Sequence, residues 1–304
     1  MLHNPDPEAD IDIDRLIDGA RAAFAELGPR KEPMTRTILI TGASSGIGKA
    51  TAEYFAERDW NVVATMRDPA DGAELATRDN VLVTHLDMLD AGSIQTAVEA
   101  AVERFDEIEV LLNNAGYGAY GPLEATPMDV VRRQFEVNVF GLIEAIKAVL
   151  PGMRARRSGT IVNIASAGGR VTYPLGTPYH GSKWAVEGLS EALHYELAAL
   201  GIRVRIIEPG GVQTDFSGRS FVFTDDPELA EYQPLVEGLL SASQSPTGQM
   251  APEEVAEVIW EAVTDDSPRL RYICGEGATK LLGRRFSAEQ DEAFVAGMRR
   301  LFGL

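Results

Sequence analysis

Short apolar runs alternate with longer amphipathic stretches along most of the chain. Seven runs of four or five residues have the composition of buried strands, the last being the weakest: Thr37–Ile40, Asn61–Ala64, Val81–Thr84, Val110–Asn113, Thr160–Ile164, Val204–Glu208 and Arg271–Cys274. Four stretches between them carry apolar residues at helical spacing: Gly48–Arg58, Ser93–Phe105, Val130–Val149 and Ser182–Leu200. Because helices alternate with strands that are almost wholly apolar, the pattern predicts an α/β fold. Its centre would be a doubly wound, Rossmann-like parallel sheet of about seven strands with helices on both faces.

A separate amphipathic pattern occupies residues 1–34. Gly28–Pro29 would end a helix whose apolar positions are Ile11, Ile13, Leu16, Ile17, Ala20, Phe24 and Leu27. We expect this N-terminal extension to fold back on the parent domain or to be partly disordered, and the alternative is a helix that contacts a partner subunit. No internal repeat and no Pro/Gly/Ser-rich linker divides the remainder, so residues 35–304 are expected to form one domain.

Composition and charge narrow the function. The 304 residues are 45% hydrophobic and carry a formal net charge of -18, which opposes binding to nucleic acid phosphates and to anionic lipid. No apolar run is long enough to cross a membrane, and the acidic N-terminus lacks a secretory core. The single cysteine, Cys274, cannot form an internal disulfide, and the four histidines lack metal-ligand spacing. These features indicate a cytoplasmic enzyme or binding protein without a metal, nucleic acid or membrane partner.

A glycine-rich loop follows the first predicted strand. The sequence reads Thr41-Gly-Ala-Ser-Ser-Gly-Ile-Gly48 and leads directly into a predicted helix. Gly42 would permit a tight turn, Gly46 would let backbone N–H groups approach a pyrophosphate, and Gly48 would let the helix pack against the strand. The alternative is a structural glycine turn without a ligand. Because the loop follows the first strand of a parallel sheet, it predicts a dinucleotide site.

The loop is the first of several motifs that together resemble the short-chain dehydrogenase/reductase family. The others follow in the order of that family, from about Thr37 to Phe216: Asn113-Asn-Ala-Gly116, Asn138 within Val-Asn-Val, Ser166, Tyr179-His-Gly-Ser-Lys183, Pro209-Gly210 and Thr214. The resemblance implies a catalytic set of Asn138, Ser166, Tyr179 and Lys183. It further implies cofactor contacts from Gly42, Ser44, Ser45, Gly46, Ile47, Gly48, Arg67, Asp87, Asn113, Ala115, Gly116, Tyr179, Lys183, Pro209, Gly210, Val212 and Thr214.

The family mechanism assigns a role to each catalytic residue. Tyr179 would donate a proton to a carbonyl during reduction and act as the base during oxidation. Lys183 would lower the pKa of the tyrosine and hold the nicotinamide ribose, since a nearby ammonium favours tyrosinate. Ser166 would orient the substrate oxygen, and Asn138 would kink its helix and hold a water. His180 follows the tyrosine, but adjacent helix residues point about 100° apart, so we interpret it as a surface or interface residue.

The end of the second predicted strand bears on the choice of nicotinamide cofactor. Met66 stands where NAD-dependent members of the family carry an aspartate, and Arg67 follows it. A guanidinium suits the 2′-phosphate of NADP, whereas NAD enzymes need an acidic group for the free 2′-hydroxyl. We therefore expect NADP rather than NAD. Asp68 is expected to point away or to cap, and Asp87 resembles the family residue that accepts from the adenine amino group.

Residues 217–249 are expected to cover the substrate. This segment contributes Phe221, Val222, Phe223, Leu229, Tyr232, Leu235, Leu239 and Leu240, and other loops near the same edge add Tyr117, Tyr120, Tyr173 and Phe216. An apolar lining favours a lipophilic substrate, although a small polar one remains an alternative. The stretches Ala64–Asp68 and Pro268–Tyr272 are similar to family branches that act on steroids and retinoids.

The sequence as a whole predicts an NADP-dependent oxidoreductase that acts on a ketone, an aldehyde or a secondary alcohol. The alternatives are an NAD-dependent alcohol dehydrogenase and a dinucleotide-sensing binding protein that has lost turnover. Family members commonly pair through the helices after the fourth and fifth strands. We therefore expect a homo-oligomer, a dimer rather than a tetramer, built on Phe135, Val139, Leu142, Trp184, Leu189 and Leu193.

Overall fold

The computed structural model describes residues 35–214, 220–243 and 249–283, together with Arg285 and Gly297. The strands are β1 Thr37–Thr41, β2 Asn61–Met66, β3 Val81–His85, β4 Val110–Asn113, β5 Gly118–Tyr120, β6 Gly159–Ile164, β7 Ile202–Pro209, β8 Phe221–Phe223 and β9 Arg271–Cys274. The helices are α1 Gly46–Ala56, α2 Ala91–Phe105, α3 Met128–Phe135, α4 Gly141–Arg156, α5 Thr177–Ala198, α6 Gln233–Ser243, α7 Pro252–Thr264 and α8 Glu276–Gly283. The N-terminal extension, residues 1–34, lies outside the described residues, as do Phe216 and residues 217–219 and 244–248 of the expected substrate-covering segment.

The predicted doubly wound parallel sheet is confirmed. Within the described residues the main sheet has seven strands in the order β3-β2-β1-β4-β6-β7-β9, and every neighbouring pair is parallel. Each of these strands overlaps one of the seven apolar runs. All carboxyl ends therefore lie at one edge of the sheet, where open α/β folds bind their ligands.

Two apolar layers hold helices against the two faces of the sheet. Successive residues of β1 point to opposite sides, so Ile38 and Ile40 pack with α1 and α7, while Leu39 packs with α2, α4 and α5. A strand that is apolar on both faces can be covered on both, which explains the nearly continuous hydrophobic runs. Helices α6 and α7 lie between β7 and β9, α8 follows β9, and the sequence pattern did not predict any of the three.

The predicted helix over Val130–Val149 is three consecutive pieces. Helix α3 runs into a π-helical turn at Glu136–Phe140, and α4 continues from Gly141. A second, two-stranded parallel sheet pairs β5 with β8, and the sequence pattern did not predict it either. Periodicity is read within one segment, so it cannot detect a pairing between strands about a hundred residues apart or an inserted residue in a helical turn.

A buried guanidinium ties the last strand to the sheet. Arg205 on β7 is 1% exposed and donates hydrogen bonds to the carbonyl oxygens of Ala262, Asp265, Ser267 and Arg269 at 2.6–3.1 Å. These carbonyls belong to the end of α7 and to the turn that leads into β9, so one side chain satisfies a turn that would otherwise lack partners. In the part of the chain that the structure describes, no helix is long and apolar enough to span a membrane.

Candidate active site

The glycine-rich loop leaves β1 and enters α1 with the geometry that the sequence predicts. Gly42 has a φ of +71° and Gly46 a φ of +55°, values that L side chains rarely adopt. A Cβ on Gly48 would lie 2.5 Å from the Asn114 side-chain nitrogen and closer still to the Gly42 carbonyl oxygen. The first two glycines thus shape the turn, and the third allows α1 to start directly against it.

Two polar side chains lock this loop to the loop after β4. Thr41 Oγ1 accepts hydrogen bonds from the backbone N–H groups of Asn114 and Ala115, both at 3.0 Å. Asn114 Nδ2 donates to the carbonyl oxygens of Thr41 and Gly42 at 2.9 Å. Thr41 and Asn114 were not among the residues predicted for the site. The threonine before the first glycine and the paired asparagines were the signals that could have indicated one.

The loop fits the pyrophosphate of a dinucleotide. Gly46 starts α1, and the Ser45 side chain makes no capping hydrogen bond to the first turn. The N–H groups of that turn therefore keep the capacity to bind an anion, which the helix dipole favours. Ser44, Ser45 and Ile47 are half-buried along the same loop. These residues, with the three glycines, are the group that would hold the phosphates.

One cationic side chain stands at the carboxyl end of β2. Arg67 is exposed, while the preceding Met66 is 2% exposed and packs toward Gly72 in the interior. Asp68 Oδ1 accepts a hydrogen bond from Ala70 N at 3.0 Å and caps a short 3₁₀ turn, as expected. Asp87, after β3, is half-buried, and its Oδ1 accepts from Leu89 N at 3.0 Å. The side chain at the carboxyl end of β2 is therefore basic and open to solvent.

The Asn113 side chain is directed into the fold, and the cofactor contact implied for this residue stays a prediction. Its side chain is 3% exposed, and its Nδ2 donates to Asn163 Oδ1 across β4 and β6 at 2.9 Å. Asn163 in turn donates to Ser190 Oγ on α5 at 2.8 Å. The amide of Asn113 thus belongs to a polar chain inside the fold. A residue at the very end of a strand still alternates between the faces of the sheet, and this one faces inward.

Asn138 lies inside the π-helical turn that joins α3 to α4. Its Oδ1 accepts a hydrogen bond from Tyr117 N at 3.1 Å, and its Nδ2 donates to the Tyr117 carbonyl oxygen at 2.9 Å. A Cβ on Gly116 would lie 3.2 Å from the same Oδ1. The expected irregularity in this helix is present, and it lets one amide hold both backbone groups of the residue that follows the Asn-Asn-Ala-Gly segment.

Tyr179, Lys183 and Ser166 converge at the carboxyl end of β6. Tyr179 and Lys183 lie one turn apart on α5, and the Tyr179 hydroxyl is hydrogen-bonded to Ser166. Ser166 Oγ accepts from Gly168 N at 3.0 Å and lies 3.4 Å from the Pro209 carbonyl oxygen. The Lys183 ammonium is buried and donates to the Ile164 carbonyl oxygen at 2.8 Å. The fold therefore brings three of the four expected catalytic side chains to one place.

Burial controls the protonation of this cluster. It raises the pKa of the Tyr179 phenol above its usual value, although the hydrogen bond with Ser166 opposes the shift. Burial also lowers the pKa of Lys183 to about 8, against the attraction of Glu187 one turn further along α5. In this structure the Lys183 ammonium binds the Ile164 carbonyl oxygen, and the lowering of the tyrosine pKa by Lys183 that the family mechanism implies stays a prediction. Tyr179 therefore keeps its proton near neutrality.

The interpretation of His180 as a surface or interface residue is wrong. The side chain is 3% exposed, and both ring nitrogens are hydrogen-bonded, Nδ1 to the Gly168 carbonyl oxygen at 2.8 Å and Nε2 to Tyr173 N at 3.1 Å. His180 does point about 100° away from Tyr179 on the helix. The chain from Gly168 to Tyr173 passes over that side of α5, and this burial could not be predicted from the helix alone.

The segment after β7 closes the site above the glycine-rich loop. Gly210 N donates to the Cys274 carbonyl oxygen at 3.1 Å, and Val212 forms a parallel bridge with Met250. Thr214 reaches the loop itself, since a Cβ on Gly46 would lie 3.1 Å from its methyl group. The expected cofactor contacts that follow Pro209 thus lie along the carboxyl edge of the sheet, next to Ser166.

An aromatic wall adjoins Tyr179. The Tyr120 ring lies 5.3 Å from the Tyr179 ring and 5.1 Å from the Phe221 ring, measured between centroids. The pairing of β5 with β8 brings Phe221 there, and the Tyr173 ring lies 5.5 Å from His180. Tyr117 is half-buried, and its hydroxyl has no hydrogen-bond partner among the described residues. Three of the four expected aromatic side chains from other loops are therefore near this edge, and Phe216 lies outside the described residues.

Comparison with known proteins identifies similar sequences. A family model described as short chain dehydrogenase matches residues 36–222. An uncharacterized oxidoreductase of Schizosaccharomyces pombe is 41% identical over 244 residues, which are 79% of this chain and 100% of that protein. Retinol dehydrogenase 8 of Bos taurus is 35% identical over 280 residues, covering 86% and 88% of the two chains. Human 17-beta-hydroxysteroid dehydrogenase type 1 is 34% identical over 288 residues, covering 89% and 87%.

Solved structures are similar over the same range. A short-chain dehydrogenase from Streptomyces avermitilis has a TM-score of 0.77 at 31% identity, covering 89% of this chain and 98% of that one. ElxO with NADP bound has a TM-score of 0.66 at 26% identity, with coverages of 79% and 98%. A 3-ketoacyl-(acyl-carrier-protein) reductase from Brucella melitensis, complexed with NADH, has a TM-score of 0.67 at 25% identity, with coverages of 79% and 96%. A nicotinamide dinucleotide is thus the supported class of cofactor.

Gly48→Ala is expected to weaken dinucleotide binding. The added methyl group would collide with the Asn114 amide and the Gly42 carbonyl, so α1 or the loop must move away from the phosphates. We expect the dissociation constant for NADPH, measured by calorimetric titration, to rise about tenfold or more, which corresponds to at least 1.4 kcal/mol.

The matched control is Gly238→Ala, since a Cβ at this exposed position in α6 would meet no heavy atom within 4 Å. This variant should keep the NADPH affinity and gain about 0.5–1 kcal/mol of stability from its higher helix propensity. Equal NADPH affinities for the two variants would show that the loop does not hold the phosphates.

Proposed function

The chain belongs to the short-chain dehydrogenase family, and on that premise we propose that it transfers a hydride between NADP(H) and a lipophilic ketone, aldehyde or secondary alcohol. The observation that carries the proposal is the position of the Tyr179 hydroxyl. It is hydrogen-bonded to Ser166, lies beside an aromatic wall, and is at the same sheet edge as the glycine-rich loop. A binding protein that had lost turnover would not require a proton donor at that place.

In this proposal the side chains handle the proton and the substrate oxygen. Tyr179 donates its proton to the carbonyl oxygen, and Ser166 donates a hydrogen bond to the same oxygen. Lys183 would turn from the Ile164 carbonyl to the nicotinamide ribose, and Asn138 would hold a water beside it. The bound NADP(H) supplies the hydride. A phenol whose pKa is raised by burial is protonated near neutrality, so Tyr179 has a proton to donate in the reductive direction.

Arg67 supports NADP as the partner in hydride transfer. Its side chain is exposed at the end of β2, and its backbone carbonyl is fixed by His85 Nδ1 at 2.7 Å. Met66 is directed into the core, so no carboxylate is offered to a free 2′-hydroxyl at this position. A fixed backbone with a solvent-exposed guanidinium suits a charge-assisted bond to a 2′-phosphate.

The aromatic wall supports a lipophilic substrate. Tyr120, Tyr173 and Phe221 present ring surface next to the proton donor, and these side chains belong to three different segments. Sites for apolar ligands combine such surface with a few fixed polar groups. A screen of ketones and aldehydes of graded hydrophobicity, with NADPH oxidation as the readout, would test the proposal. If NADPH were oxidised with none of them, the proposal would be wrong.

Tyr179→Phe should retain NADPH binding and lose nearly all turnover. The substitution removes one hydroxyl and keeps the ring that packs on Tyr120. General acid catalysis contributes about 10² to 10⁴-fold, and we expect kcat to fall by that factor. The matched control is Tyr195→Phe on the same helix, where the side chain is 68% exposed. Turnover of Tyr179→Phe within about threefold of the wild-type rate would exclude this hydroxyl as the proton donor.

Arg67→Asp should reduce or reverse the preference for NADPH. A carboxylate would repel the 2′-phosphate and accept a hydrogen bond from the free 2′-hydroxyl of NADH. We expect the ratio of the two dissociation constants to change by about 10- to 100-fold, since a charged hydrogen bond contributes about 1.5–3 kcal/mol.

The control for charge is Arg78→Asp. Arg78 is also basic but pairs with Glu57, and it lies before β3 rather than at the end of β2. Arg78→Asp should leave the ratio of the NADPH and NADH dissociation constants unchanged. Tighter binding of NADH than of NADPH by the unmodified protein would overturn the NADP assignment.

We also propose that the chain forms a homodimer through the faces of α4 and α5. Of the six apolar residues expected there, Val139 and Leu142 are buried in the core, whereas Trp184 and Leu189 are 42% and 40% exposed. Phe140, which was not in the predicted set, is 51% exposed. Light scattering at micromolar concentration should give twice the mass of one chain, and Leu189→Glu should shift it toward a single chain. A single-chain mass for the unmodified protein would refute the dimer.

A further inference from the structure

His180 occupies an enclosed space that the family mechanism does not use. Its ring lies between the turn Ala167–Gly169, the backbone at Tyr173 and the first turn of α5. A Cβ on Gly168 would lie 2.9 Å from Nδ1, and a Cβ on Gly176 would lie 2.6 Å from Cδ2. The two glycines therefore make room for the imidazole, and the ring packs as closely as a core side chain.

The partners of the ring determine which nitrogen carries the proton. The backbone nitrogen of Tyr173 can only donate, so Nε2 must accept. The carbonyl oxygen of Gly168 can only accept, so Nδ1 must donate. The imidazole is consequently neutral, with its proton on Nδ1. Burial agrees with this assignment, since it lowers the pKa of His180 in spite of the hydrogen bond to Gly168.

Gly168 connects the histidine to the active site. The carbonyl of this glycine binds His180 Nδ1, and its N–H donates to Ser166 Oγ at 3.0 Å. The same hydroxyl donates to the Pro209 carbonyl oxygen at 3.4 Å, and accepting from Gly168 N limits the directions left for its own proton to those toward Pro209, Tyr179 or a substrate oxygen. The orientation of the serine proton thus depends on where Gly168 is held.

We infer that His180 is a positioning residue that fixes the Ser166 hydroxyl relative to Tyr179 by holding the Gly168 carbonyl. Because His180 is adjacent to Tyr179 on α5, the hydrogen bond joins the helix that carries the proton donor to the turn that orients the serine. Neither ring nitrogen has a free proton or lone pair for the substrate, so the residue does not relay protons. The kinetic effect expected of His180 rests on the proposed carbonyl reduction, whereas the hydrogen bonds of His180 do not depend on that proposal.

Two substitutions separate the two contacts of the ring. The amide nitrogen of an asparagine occupies the place of Nδ1, so His180→Asn can keep the bond to Gly168. The amide oxygen of a glutamine occupies the place of Nε2, so His180→Gln can keep the bond to Tyr173 and loses the one to Gly168. Since Tyr173 belongs to the aromatic wall, His180→Gln preserves the contact on the side of the expected substrate. It removes the contact with Gly168, which holds Ser166.

The kinetic test compares both variants in two backgrounds. We expect His180→Gln to lower kcat about tenfold, the effect of one hydrogen bond of about 1.4 kcal/mol. His180→Asn should stay within about threefold of the wild-type kcat, and both should keep the NADPH dissociation constant. In a Ser166→Ala background His180→Gln should cause no further loss, because residues that act through one another are not additive. Equal losses for both variants, or an undiminished loss without the serine, would overturn the inference.

Nitrogen NMR of the unmodified protein provides a readout that needs no turnover. The His180 signals, assigned by their absence from the His180→Gln spectrum, should show protonated Nδ1 and unprotonated Nε2. The opposite tautomer or an imidazolium near neutrality would contradict the hydrogen-bond arrangement, even if the variants folded poorly. If the unmodified protein reduced no carbonyl compound, the proposed function would fail, and the tautomer would still decide the arrangement at His180.

Discussion

The side-chain amide of Asn114 holds two loops together, and the geometry of the whole site depends on that contact. Its two N–H groups bind the carbonyl oxygens of Thr41 and Gly42, while Thr41 Oγ1 binds two N–H groups of the other loop. The loops follow β1 and β4, which are neighbours in the sheet. The arrangement leaves no volume for a side chain at Gly48, so α1 begins in direct contact with the turn. A dinucleotide would therefore meet a surface that is already formed.

Helix α5 is fixed against rotation by polar contacts around its first turns. Tyr179 is bound to Ser166, and His180 is bound to the backbone at Gly168 and Tyr173. Ser182 Oγ accepts from Gln134 on α3, and Lys183 donates to the end of β6. Neighbouring positions on a helix point in different directions, so these bonds reach three different elements. A translation or rotation of α5 would break several of these hydrogen bonds at once. Together they keep the Tyr179 phenol at a fixed position relative to the carboxyl edge of the sheet.

The parts of this structure that periodicity describes were predictable, and the parts that depend on distant contacts were not. Seven apolar runs predicted the seven strands of the main sheet, because a strand covered on both faces must be apolar almost throughout. Glycine spacing predicted the loop after β1, and motif order predicted that Ser166, Tyr179 and Lys183 would meet. The burial of His180 depends on a segment that passes over α5, and the inward turn of Asn113 depends on Asn163 across the sheet. Neither of these long-range contacts can be recognised from the local sequence pattern.

The π-helical turn at Glu136–Phe140 makes the length of that segment a constraint in its own right. Such a turn is an α-helix into which one residue has been inserted. Deleting one residue of the turn other than Asn138 would restore the regular helix while α3 and α4 keep their faces, because a π turn absorbs its extra residue locally. Leu142 and Ile146 would still pack toward the sheet, whereas Asn138 would shift within the turn and lose both backbone partners at Tyr117. The extra residue thus serves the site rather than the packing of the helix, and a chain shortened by that one codon would keep its fold without the amide that holds Tyr117.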